Sequence, residues 1–283
     1  MHIWRFEAIG TRWEVATAHA VPAERRRAVT ELIAAFDAAW SRFRRDSLVS
    51  SLREGGRVAA PPDAAAMLSV YAELGRATEG AVTPLIGTAL EALGYDSGLS
   101  LRAGRPVPAP AHWERMLRWD DAALTLAGPA LIDVGAVGKG RLVDRVLEAL
   151  APLPGPVTVD ASGDLRVRGG AIRVALEHPY DPAMAVGVVP VADAALCASA
   201  GNRRAWADGM HHVLDGRTGL PVRTWAATWA LAADAMHADA AATALFFDGG
   251  AGLADQWGVH WVRMATDGRI ERSPGFPGEL FTR

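Results

Sequence analysis

The 283-residue chain has one lysine, Lys139, one cysteine, Cys197, one asparagine, Asn202, and one glutamine, Gln256. A single cysteine excludes an internal disulfide framework and fits a reducing compartment. No apolar run approaches the length of a membrane span. The first residues, Met1-His2-Ile3-Trp4-Arg5-Phe6-Glu7, lack the basic segment and long apolar stretch of a signal peptide. These absences lead us to expect a soluble cytoplasmic protein. Basic residues never run longer than Arg25-Arg26-Arg27 and the net charge is −3, so nothing suggests a nucleic-acid surface. Internal repeats are absent, and no low-complexity tract stands out beyond alanine-rich helices. The excess of Arg, Ala and Gly reads as the coding bias of a GC-rich genome. Such a bias thins out lysine wherever arginine will serve. A surviving lysine therefore marks a place where a compact ammonium suits the site better than a planar guanidinium, unless its survival is chance.

What is present supports a sizeable core: half of the residues are hydrophobic and 22% are charged. The lone lysine lies in Asp133-Val134-Gly135-Ala136-Val137-Gly138-Lys139-Gly140. Ala130-Leu131-Ile132 before it reads as a buried strand. Leu142, Val143, Val146, Leu147 and Leu150 after it recur on one helix face. A strand, a glycine-rich turn and a helix in that order aim backbone N–H groups and the positive end of a helix dipole at one spot, which suits phosphate or another anion. Two known phosphate loops do not match. Asp133 and Gly140 stand where a Walker A loop needs Gly and Ser/Thr, and the glycines run GxxGxG, not GxGxxG.

In chain order, Ile3 to Ile9 and Trp13 to Thr17 read as strands around a Gly10-Thr11 turn. Ala23 to about Arg44 reads as a long amphipathic helix, with Asp46 or Ser47 capping a short one after it. Asp63 to Thr78 is predicted helical, as is a stretch ending at Leu93, and residues 97–112 form a surface loop. The second half is strand-rich: Val157 to Asp160, Ala171 to Leu176, Val186 to Val191, Ala195 to Ser199, Thr224 to Ala232 and Val259 to Met264. A helix over Met236 to Phe247 interrupts them. This mixed order predicts an α+β fold, not a repeating βαβ series.

Two further segments carry candidate chemistry. Met210 to Pro221 holds His211, His212, Asp215 and Arg217. Neighbouring strand residues point to opposite faces, so one histidine faces a given pocket and the other is structural. A histidine beside a phosphate can act as general base or hold negative charge. The same segment also reads as a polar loop whose Asp and Arg pair with each other. In Ala238-Asp239-Ala240-Ala241-Ala242-Thr243, Asp239 and Thr243 fall on one helix face. A carboxylate and a hydroxyl suffice for Mg²⁺, which keeps waters and takes substrate phosphate oxygens. They also read as an ordinary helix-start Asp and an unremarkable Thr.

Together and in order, these segments resemble the ApbE family, the FAD:protein FMN transferases, over nearly the whole chain. Gly10-Thr11 resembles the family's Met-Gly-Thr. Ser41-Arg42-Phe43-Arg44 through Ser47 resembles Ser-x-aromatic-Arg…Ser, and Gly80-Ala81-Val82-Thr83-Pro84 resembles Gly-Ala-Phe-Asp-Pro. Asp133 to Gly140 resembles Asp-Leu-Gly-Ala-Ile-Ala-Lys-Gly, and Ser162-Gly163-Asp164 resembles Gly-Gly-Asp. His212 to Gly219 resembles His-Ile-Ile-Asp-Pro-x-Thr-Gly, and Ala238-Asp239 with Thr243 resembles Ala-Asp-x-x-x-Thr.

The resemblance implies a single α+β, ApbE-like (T-fold-like) domain over residues 1–283, with mixed sheets flanked by helices. Its implied reaction moves FMN from FAD onto a Ser/Thr hydroxyl of a target protein and releases AMP. It gives Asp133 and Lys139 to FAD, with Ile9, Phe43, Ala81, Val82, Thr83 and Leu214 around the nucleotide. Mg²⁺ goes to the Ala136 carbonyl, Asp239 and Thr243. His212 becomes the catalytic histidine, with His211 the other candidate. The sequence departs from the pattern in three places. Ile9 replaces Met, Thr83 replaces an acid in the nucleotide pocket, and Gly216 replaces Pro in the turn. Two rivals stay open: a FAD pyrophosphatase giving FMN and AMP, and a FAD-binding protein without turnover.

Overall fold

Alternation at the N-terminus builds a hairpin. Strands His2–Ala8 and Thr11–Thr17 pair antiparallel, with Ala8 opposite Thr11. The turn is therefore Ile9-Gly10, one residue earlier than expected, because the second strand's alternation runs back to Thr11. Both turn residues have positive φ, 46° and 72°, as a tight two-residue hairpin requires. Glycine accepts this freely, but the β-branched Ile9 is strained there.

This hairpin begins an eight-stranded sheet in which every strand is antiparallel to its neighbours. The sheet follows chain order: His2–Ala8, Thr11–Thr17, Val157–Asp160, Asp164–Arg168, Ala195–Ala200, Trp225–Ala232, His260–Ala265, Ile270–Arg272. The structure, a computed structural model, describes residues 1–201, 205–206 and 209–281. Strand Trp225–Ala232 is buried along its whole length because both faces are covered. Ala230 and Ala232 join Cys197, Val159 and Trp13 against helices Gly138–Ala149 and Ala235–Ala244. The alternate residues Ala227, Trp229 and Leu231 face a three-stranded sheet of Ala171–Glu177, Ala185–Ala192 and Glu279–Leu280. A third cluster collects helix Ala64–Ala77 with Trp40, Leu52, Leu85, Trp113 and Leu126. The fold is α+β. Among the described residues no helix is long and apolar enough to cross a membrane.

Several expectations shift. Ala130-Leu131-Ile132 is buried but is not a strand. Its backbone bonds go to Arg53, Gly87 and, through Asp133 N–H, to Pro84 rather than to a neighbouring strand. The first helix ends at Trp40, four residues early, because Ser41 turns extended. That leaves Arg42 and Phe43 on a turn, and Ser47 caps helix Leu48–Ser51 by accepting from Ser50 N–H. The helix predicted over Met236 to Phe247 spans Ala235–Ala244. A small sheet of Gly56–Ala59, Ala123–Leu126 and Leu117–Trp119 went unpredicted.

Candidate active site

The glycine-rich turn is pinned from below. Asp133 accepts from Gly135 N–H at 2.7 Å through one carboxylate oxygen and from Arg42 Nε at 2.5 Å through the other. The Tyr71 hydroxyl donates to the Asp133 carbonyl at 3.1 Å and accepts from Ala136 N–H at 3.2 Å. Burial, then the Asp133 charge, push the Tyr71 phenol well above its ordinary value, so it stays a neutral donor. Arg42 also donates to the Tyr95 carbonyl at 2.8 Å and lies 4.2 Å over the Phe43 ring. Tyr95 in turn stacks on Trp206. Buried Arg42 thus ties the turn to an aromatic wall.

Helix Gly138–Ala149 follows this turn, and the residue at its start, Val137, offers no side-chain cap. Its glycines allow close approach. A Cβ at Gly140 would fall 2.1 Å from the Ala235 carbonyl oxygen and 2.7 Å from the Asp239 Cβ. Helix Ala235–Ala244 therefore lies directly against Gly140, and Gly140 N–H donates to Asp239 Oδ2 at 2.9 Å. Strand Asp164–Arg168 grips helix Gly138–Ala149 along its length with every second residue. Asp164, buried, pairs with Lys139 Nζ at 3.1 Å. Arg166 pairs with Asp144 at 2.7 Å. Arg168 donates to the Leu150, Ala151 and Leu153 carbonyls at the helix end.

One cleft of about 1190 Å³ brings together every predicted site residue except His211. Asp133, Ala136 and Lys139 come from the turn and helix start, and Asp239 and Thr243 from the facing helix. Ile9 enters from the strained hairpin turn, and Phe43 from the turn after the first helix. Ala81, Val82 and Thr83 form a buried edge, and Leu214 and His212 also line the cleft. His211 is tied into its own loop. Its Nε2 donates to the Val222 carbonyl at 2.7 Å, which leaves Nδ1 to accept from Val213 N–H at 3.3 Å. Burial lowers its pKa, so this neutral tautomer persists.

Two departures from the family pattern meet in space. A Cβ at Gly216 would come 2.7 Å from the Thr83 γ-methyl and 2.9 Å from the Ala81 carbonyl oxygen. The Gly80 carbonyl oxygen, at 3.0 Å, crowds the same point, so Gly216 fits where a side chain would not, and its N–H donates to Ala81 O at 2.8 Å. Sequence reasoning missed Tyr71, which sits in an apolar helix stripe, and the Tyr95–Trp206 stack, whose members lie far apart in sequence.

The donor set suits a hard divalent cation. Among the described residues no three His, Cys, Asp or Glu side chains gather to hold an ion. A carbonyl (Ala136), a carboxylate (Asp239) and a hydroxyl (Thr243) on the cleft wall are hard oxygen donors. They leave coordination positions for water and phosphate, which fits Mg²⁺.

The fold and site define an α+β protein with a nucleotide-sized cleft, one wall a glycine-rich helix start and the other an acid–hydroxyl helix face. The family model described as "ApbE family" matches residues 9–259, and the chain belongs to that family. It is 29% identical to an FAD:protein FMN transferase of Rhodobacter capsulatus over 303 aligned positions, which cover 97% of this chain. The chain spans 57% of that relative's length. Among solved structures it resembles the ApbE protein of Thermotoga maritima (TM-score 0.82, 23% identity, 97% of each chain covered). It also resembles the flavin transferase ApbE of Vibrio cholerae (TM-score 0.79, 20% identity, 97% of each chain covered).

Proposed function

We propose that this chain is an enzyme that transfers FMN from FAD to a Ser or Thr hydroxyl of an acceptor protein and releases AMP. The observation that carries this reading is the meeting of two dissimilar walls in one cleft. The Lys139 helix start offers positive potential to a diphosphate, and the facing helix offers metal-binding oxygens from Asp239, whose Oδ2 lies 2.9 Å from Gly140 N, and from Thr243. A protein that only stored flavin would need no such second wall. The name of the Rhodobacter capsulatus relative supports the same chemistry.

In this reading residues 1–283 act as one domain, in the cytoplasm, where a lone buried thiol stays reduced. Lys139 and the helix start hold the diphosphate. Phe43, Ile9 and Leu214 wall the nucleotide, and Ala81 to Thr83 form the floor beneath it. Ala136 O, Asp239 and Thr243 hold Mg²⁺, which supplies charge neutralisation at the diphosphate when bound. His212 receives the acceptor hydroxyl's proton. The freed oxygen forms a bond to the riboflavin-side phosphorus. The bond from that phosphorus to the bridging oxygen breaks, and AMP leaves with the bridging oxygen. Asp133 is committed to Arg42 and Gly135, so its role is to shape the turn that faces FAD.

The test mixes the chain with FAD and Mg²⁺, with and without an acceptor bearing an exposed Ser/Thr segment. AMP release with a fluorescent acceptor band on a denaturing gel is the expected result. AMP and free FMN without acceptor would replace the transferase with a pyrophosphatase. Bound FAD with no AMP in either tube would leave only a binding protein.

A further inference from the structure

Asp144 lies outside the cleft lining, yet it joins the three elements that build the cleft's two walls. It is buried on helix Gly138–Ala149, six residues after the helix start at Gly138. Its Oδ1 accepts from Ala235 N–H at 2.8 Å and its Oδ2 from Met236 N–H at 3.0 Å. Those are the first two amides of helix Ala235–Ala244, which carries Asp239 and Thr243. Oδ1 also takes Arg166 Nη1 from strand Asp164–Arg168, whose Asp164 holds Lys139. Together with the Gly140 N–H···Asp239 bond, this gives the two helices two attachment points one turn apart. One attachment alone would let the second helix pivot about Gly140. Two fix its rotation, and with it the direction of Asp239 and Thr243.

We infer that Asp144 is a positioning residue: it sets the orientation of the metal-binding helix face against the anion-binding helix start. This inference rests on the reading of Asp239 and Thr243 as metal ligands. A carboxylate is needed because both oxygens must accept at once while one also faces a guanidinium. An amide offers only one accepting oxygen. A donor set held loosely loses metal affinity by the same route as a lost outer-shell partner, about ten- to a hundredfold.

The experiment follows binding of Mn²⁺, a paramagnetic stand-in for Mg²⁺, by loss of the free-ion EPR signal, using the full chain with ADP present. Asp144→Asn should weaken Mn²⁺ binding about tenfold or more. Asp63→Asn is the control for general destabilisation. Asp63 is equally buried and also paired to helix Gly138–Ala149, through Arg141 and Arg145, but makes no bond to helix Ala235–Ala244. It should lose stability and bind Mn²⁺ as the natural chain does. If Asp144→Asn does not fold, Arg166→Gln removes only the ion pair and should weaken Mn²⁺ a few-fold. Unchanged Mn²⁺ affinity in the variant that folds would overturn the inference. So would an equal loss in Asp63→Asn. Failure of the natural chain to bind Mn²⁺, or of Asp239→Asn to weaken it, would overturn the metal reading itself and this inference with it.

Discussion

The two helices that meet at the cleft begin in opposite ways. At Ala235–Ala244 the first three amides are taken: Asp144 accepts from Ala235 and Met236, and Asp234 accepts from His237. At Gly138–Ala149 the N-cap residue Val137 offers no side-chain cap; Gly138 N–H goes to the Val134 carbonyl and Gly140 N–H to Asp239, and the first turn carries Lys139 and no acid of its own. A helix start filled with two carboxylates has its positive end neutralised and serves as a fixed strut. A start whose first turn carries a lysine and only one carboxylate contact keeps more of its positive potential. The difference is consistent with the proposed roles, metal oxygens on the helix with the doubly capped start and the anion at the lysine-bearing one.

Changes that exchange these roles test the comparison. The largest effect should come from Asp239→Asn, which removes the only carboxylate of the proposed metal set. Mg²⁺-dependent AMP release should fall about 100-fold or more while the melting temperature stays near that of the natural chain. An unchanged rate would remove the second wall from the account. Next comes Lys139→Met, which should raise the KM for FAD about tenfold in steady-state assays, with Lys139→Arg failing to restore it. If Arg restores it, the survival of a single lysine has no chemical cause. Gly140→Ala forces a methyl against the Ala235 carbonyl, so the helices must separate. A cost of about 1–3 kcal/mol is expected in the denaturant midpoint at unchanged slope. An unaffected midpoint would show that the contact is loose.

The smallest effect concerns the strut's first turn. The bond to Asp234 raises the His237 pKa above 6.5, against burial. A raised folded-state pKa means the ion pair's stability is fully present below pH 6.5 and fades as pH climbs through the folded value. His237→Gln should therefore be less stable than the natural chain in acid and equal to it in mild alkali, as read by melting temperature. A deficit that grew with pH would reverse the assignment.

The residues that carry the comparison were unequally legible. The glycine-rich turn, Asp239 and Thr243 lie in short contiguous segments, where spacing places side chains directly. Asp144 carried no such signal. In sequence it is a polar residue within an amphipathic helix, and its partners Ala235 and Met236 are 91 and 92 positions away. Arg42 and Asp133 are likewise 91 apart, and only folding makes them a pair. Ala130 to Ile132 were misread because an apolar run bounded by turns looks the same whether it is a strand or a buried connection. The pairing of Thr83 with Gly216 was visible as two separate departures, but not as one contact.

In the proposed function both walls serve one diphosphate. A double-mutant cycle on FAD affinity in Mg²⁺, using Lys139→Met, Asp239→Asn and the pair, tests it most directly. A shared diphosphate predicts a coupling of at least about 1 kcal/mol between the two sites. Additivity to within about 0.5 kcal/mol would mean that the walls act on separate groups, and that no shared diphosphate joins them.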